Sequence, residues 1–91
     1  MNSVSNWKIY FKPRAAEDLK RLPRNFQKRI ADKMRFFVSS GKLIRFSKHL
    51  KDRSLGGYRF RVGDYRVIAD IILESNKVII LKVGKRDEVY K

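Results

Sequence analysis

Arginines are where this chain could do chemistry. Residues 57–68 read Gly-Tyr-Arg-Phe-Arg-Val-Gly-Asp-Tyr-Arg-Val-Ile. Two runs rich in aromatic and β-branched residues flank Gly63-Asp64, the signature of a β-hairpin with a tight primed turn, because glycine accepts positive φ. Side chains alternate faces along a strand. Tyr58, Phe60 and Val62 therefore share one face, and Arg59 and Arg61 the other. With Gly63-Asp64 as the whole loop, Val62 stands opposite Tyr65 and Arg61 opposite Arg66. Like charges directly opposed in a sheet destabilise it. Either the long side chains splay into water, or Arg59, Arg61 and Arg66 form a preformed anion site. Guanidinium groups suit the second use, because they bind phosphate in a planar, forked geometry.

Other chemistries lack their parts. The chain has a single histidine, His49, and no cysteine, so a two-histidine ribonuclease and a thiol nucleophile are both excluded. The nine acidic residues are scattered and show no metal-ligand spacing. No glycine-rich phosphate loop is present. Phosphate chemistry by cations remains. RNA brings its own nucleophile, the 2′-OH, and a protein can cleave it by aligning that oxygen and neutralising the charge that develops. An aromatic ring can fix a base by stacking. Tyr90 is placed for that role, or for packing against the sheet.

The whole chain fits this picture. Ninety-one residues with a net charge of +14 and a pI near 10.6 predict one basic domain, residues 1–91, attracted to polyanions. Lys and Arg occur in every predicted element, so a folded basic surface is expected and not a disordered arm. No apolar run approaches a membrane span, and residues 1–6 are short and polar, so the cytoplasm is the expected compartment.

The elements that must position the arginines follow from periodicity. Residues 7–11 read as a strand with Trp7, Ile9 and Phe11 on one face. Residues 14–21 read as a helix, with Ala15, Leu19 and Leu22 in one stripe. Leu22-Pro23 breaks it, and Pro23 opens a second helix to about Ser40 with Phe26, Ile30, Met34, Phe37 and Val38 on its core face. Gly41 is its expected cap. Residues 42–56 read as an irregular, basic connection. After the hairpin, residues 65–73 and 78–83 read as strands around a 74–77 turn, and 84–91 as a tail leaving the sheet. The expected fold is α+β, in the order β-α-α-β-β-β. A two-helix hairpin covers one face of a mainly antiparallel four-stranded sheet, and the other face displays the arginines. A two-residue Ser75-Asn76 turn pairs Arg66 with Lys85, and a slip or bulge places Arg86 on the arginine face instead.

The hairpin, followed by Leu-Lys-Val-Gly-Lys-Arg-Asp-Glu-Val-Tyr over residues 81–90, resembles the RelE/ParE superfamily of toxins from toxin–antitoxin systems. The Leu22-Pro23 corner and the Leu50-Lys51 segment match as well, so the resemblance spans nearly the whole chain. It implies a RelE-like fold and a ribosome-dependent mRNA endoribonuclease. Such an enzyme cuts the A-site codon by 2′-OH attack and needs no metal or other cofactor. The implied partners are mRNA, the ribosome and a cognate antitoxin, with no membrane and no small molecule. By the same resemblance, Arg66 stabilises the charged phosphate, Arg86 lies by the leaving 5′-oxygen, and Tyr90 stacks on a base. Arg59 and Arg61 stand where the best-known members carry lysines. Lysine can be tuned to act as a base, whereas arginine keeps its proton. The base is therefore open among Lys48, His49, Lys51, Asp52 and Lys85, of which Lys48, Lys51 and Lys85 are also expected to bind RNA. Two rival readings are a ParE-like inhibitor of DNA gyrase and a non-catalytic RNA- or ribosome-binding domain. ParE-like members typically lack the tail set that Arg66, Arg86 and Tyr90 complete here.

Overall fold

The computed structural model describes residues 7–51 and 57–89. Strand β1 (Lys8–Phe11) leads into helix α1 (Pro13–Lys20) and helix α2 (Arg24–Ser39). A 3-10 turn (Ile44–Phe46), β2 (Ser47–His49), β3 (Tyr58–Val62), β4 (Tyr65–Ile72), β5 (Lys77–Lys85) and a short α3 (Arg86–Val89) follow. One sheet contains all five strands in the order β1-β5-β4-β3-β2, parallel only between β1 and β5. The sheet thus has five strands where the sequence reading expects four. The extra one, β2, lies antiparallel on β3 at the edge.

The helices form where the apolar stripes predict. Pro13 begins α1, where its missing N–H is no loss. Pro23 sits one residue before α2, as its N-cap. Gln27 closes the corner by donating from Nε2 to the Leu22 carbonyl at 2.8 Å. Gly41, at φ 75°, turns the chain just past the end of α2. Ile30, Met34, Phe37 and Val38 of α2 are buried together with Phe60, Val62, Tyr65, Val67, Val78, Ile80 and Val83 of the sheet. Phe37 stacks on Phe60 at 5.4 Å, and Phe26 meets Tyr65 at 5.1 Å. α2 therefore braces the β3–β4 hairpin from behind.

Beyond the end of β1, the β5 backbone loses its neighbour. Asp18 of α1 takes that place, its Oδ2 accepting a hydrogen bond from the Val83 N–H at 3.1 Å. Replacing it by alanine leaves this donor to water and should cost about 1–2 kcal/mol, read as a lower urea midpoint. Asp18→Asn keeps an acceptor and should retain most of that stability.

β4 and β5 do not join through a two-residue turn. A 3-10 turn over Leu73–Ser75 closes on Asn76 in the left-handed region at φ 54°. Asparagine tolerates that conformation because its short polar side chain bonds locally. The register then shifts between Ile68 and Ala69, which face Lys82 and Ile80, so Leu81 is a β-bulge. The expected Arg66–Lys85 pair is consequently replaced: Arg66 faces Gly84, and Lys85 faces Tyr65. β5 also runs two residues past the expected Val83, and the tail begins as α3, folded back against β4 and β5.

Candidate functional site

The hairpin register is as the sequence implies: Val62 faces Tyr65 and Arg61 faces Arg66. Gly63 supplies the turn's positive φ, 59°, and Asp64 needs none. Arg59, Arg61 and Arg66 accordingly share the face turned away from α1 and α2. The opposed Arg61 and Arg66 solve their repulsion by parting. Arg61 is exposed. Arg66 is only 7% exposed and folds back over the turn, where its Nη1 donates to the carbonyls of Gly63 at 3.2 Å and Tyr65 at 3.1 Å. Gly84, opposite Arg66, contributes no side chain to compete for that space.

This face is less open than expected. Ile68 and Val89 are both fully buried yet lie outside the helix-side core. α3 closes over part of the arginine face and holds Arg86 at the end of β5. Arg61, Arg66, Lys85 and Arg86, with Asp64 and Asp87, line a hollow of ≈ 410 Å³. Four cations against two carboxylates leave it net positive, which suits a phosphate.

Other expected residues fall elsewhere. Arg59 stands one row along the same face, with Lys48 on one side and Ile68 on the other. Lys82 continues that row beyond Ile68. The row Lys48, Arg59, Lys82 extends the positive surface beside the hollow. His49 pairs with Tyr58, ring to ring at 5.0 Å, on the opposite parity. Lys51 is exposed beyond the end of β2. Tyr90 and Asp52 lie outside the described residues. Sequence reasoning missed Asp64 and Asp87 as lining groups, because each read as an ordinary turn or tail residue. Their only signal was adjacency to the arginines.

The family model for the ParE toxin of type II toxin–antitoxin systems matches residues 9–90. The chain belongs to that toxin family. Solved structures place the toxin in the wider RelE/ParE superfamily. A chain of the RelBE2 toxin–antitoxin complex of Mycobacterium tuberculosis is 28% identical, with a TM-score of 0.72 over 88% of the toxin and 98% of that chain. A chain of the RelB–RelE complex of Methanococcus jannaschii is 26% identical, with a TM-score of 0.66 over 89% and 94%. The free RelE toxin variant of Escherichia coli shares the fold, with a TM-score of 0.73 at 22% identity over 92% and 90%. A comparison with curated protein sequences finds no match. Among the described residues, no helix is long and apolar enough to cross a membrane.

Proposed function

We propose that this toxin is a metal-independent, ribosome-dependent endoribonuclease that cuts mRNA in the A site. The observation that carries this reading is the meeting of Arg61, Arg66 and Arg86 around one hollow. In the reaction a ribose 2′-oxygen attacks the adjacent phosphorus, the bond to the 5′-oxygen breaks, and a 2′,3′-cyclic phosphate forms. Arg66, held by the turn, and Arg61, free to close down, neutralise the charge on the phosphorane. Arg86 lies beside the leaving 5′-oxygen and stabilises its negative charge, and water supplies the proton that oxygen takes up. Arginine keeps its proton, so neither Arg59 nor Arg61 is the base. Of the groups lining the hollow, the carboxylates Asp64 and Asp87 can take the 2′-OH proton, and Lys85 only as a neutral amine. Lys48, His49 and Lys51 do not line it. Arg59, Lys48 and Lys51 hold the strand nearby, and Tyr90 stacks on a base. The toxin works in the cytoplasm and is held in check by a cognate antitoxin with an acidic or amphipathic segment. The RelB–RelE complexes of related fold support that partner.

Primer extension on mRNA from cells expressing the chain tests this. Stops are expected inside translated codons and absent from the same message lacking its start codon. A second reading, inhibition of DNA gyrase, follows from the resemblance to ParE-like toxins, the toxin that the matching family model names. Loss of supercoiling by purified gyrase, with mRNA left intact, would replace the nuclease.

A further inference from the structure

The positive surface does not end at the Gly63-Asp64 turn. Arg29 of α2 reaches the same turn from the helix side. A Cβ at Gly63 would lie 3.5 Å from Arg29 Nη2 and 3.6 Å from its Cζ. Gly63 is thus held between two arginines, since its carbonyl accepts from Arg66 at 3.2 Å. Arg29 in turn lines a shallow trough of ≈ 520 Å³ along the outer side of α2, together with Lys28, Lys33 and Phe36. Asp32 also lines the trough, but it is ion-paired with Arg35 of the same helix.

The core face of α2 is fully accounted for by other residues. Phe36 nevertheless remains 52% exposed. The Lys33 ammonium stands 5.9 Å from the centroid of its ring. Leaving that much phenyl surface in water forgoes burial worth about 1 kcal/mol or more. Cations along a trough with a flat ring among them are the two parts of a single-stranded nucleic-acid surface: charge follows the backbone, and the ring offers a base a stacking platform. An acidic peptide would use the charges and have no need of the ring.

We propose that α2 carries a second stretch of RNA path. A single strand leaving the hollow crosses the turn against Arg29, runs past Lys28 and Lys33, and stacks a base on Phe36. The occupant of the hollow is taken from the nuclease reading; the trough stands on its own residues.

The test uses the full chain and 2′-O-methyl uridine oligomers, which lack the nucleophile and so report binding without cleavage. A dinucleotide, the short oligomer, occupies the hollow alone, and an oligomer of roughly twelve also reaches the trough. The double variant Arg29→Gln, Lys33→Gln should weaken the longer oligomer about tenfold. It should also flatten its log–log salt dependence by about 1.4, at about 0.7 for each phosphate no longer neutralised. Binding of the short oligomer should stay unchanged. Phe36→Leu, which keeps an apolar side chain, should weaken the long oligomer roughly fivefold and leave a polyglutamate peptide unaffected. Equal loss on short and long oligomers, or no loss on either, overturns the path. A Phe36→Leu effect shared by RNA and polyglutamate, or absent from both, overturns stacking on the ring. Arg61→Gln separates the two readings. If it spares the short oligomer while the α2 variant still weakens the long one, the hollow is not an RNA site and the trough is.

Discussion

Arg66→Ala should lower mRNA cleavage on programmed ribosomes by about 10³-fold and also destabilise the protein by about 2–3 kcal/mol. The two losses have separate causes. Removing one preorganised donor from a developing charge typically costs about 10²–10³ in rate, and a guanidinium facing a transferring phosphoryl group can be worth more. The stability loss comes from the turn. Arg66 is buried and bonded to the carbonyls of Gly63 and Tyr65. Both bonds come from one Nη1, so together they contribute about 1.5–3 kcal/mol, the value of a bond from a charged donor. Arg61, opposite it, is exposed. Arg61→Ala should therefore reduce cleavage by about 10–10²-fold with an unchanged melting temperature. Cleavage is compared well below both unfolding transitions, so that only the chemistry differs. Methylguanidinium added to the Arg66→Ala protein should restore part of the rate and none of the stability. Full cleavage by Arg66→Ala would remove this residue from the site, and an unshifted thermal midpoint would mean the turn does not depend on it.

The hairpin was readable from sequence because three signals coincide there: strict alternation, β-branched and aromatic flanks, and a glycine where φ must be positive. Nothing comparable marks β2. Ser47-Lys48-His49 is three polar residues, and they form a strand only because β3 offers its edge. The bulge was illegible for a different reason. Residues 78–83 are apolar almost throughout, so no alternation fixes which face each belongs to, and the phase of β5 is set by the fold and not by its own pattern. Yet that phase decides what stands across from Arg66. The pattern of the helices was readable to within a residue at most ends, because burial on one face leaves a stripe. Their outer face was not readable as a surface reaching the turn. Arg29 is one basic residue among many on α2 until the packing of α2 on the hairpin brings it to Gly63.

α3 shows the limit most clearly, because nothing local accounts for it. Four residues cannot sustain a helix alone, since nucleation is unfavourable and little propagation follows to offset it. The segment is held by Val89, which is 1% exposed, and by its start at the end of β5. Val89→Asp would place a carboxylate where no water reaches, at a cost of several kcal/mol. Detaching α3 avoids that cost and leaves the helix-side core of Ile30, Met34, Phe60, Val67 and Ile80 untouched. The expected result is local release. Backbone NMR signals of residues 86–89 should move to random-coil positions, while the thermal midpoint falls by roughly 8–16 °C, at about 2 kcal/mol for apolar surface of Val89 and Ile68 returned to water. Arg86 would then leave the hollow, and cleavage should drop by about 10²-fold. The net charge of +14 is spread over the surface, so on the nuclease reading binding to the ribosome should change little. Val89→Ile should behave as the parent. Were Val89→Asp to cleave at the parent rate with its α3 signals at random-coil positions, Arg86 would have no part in the chemistry, and Arg61, Arg66 and Lys85 would have to supply all the positive charge at the phosphate.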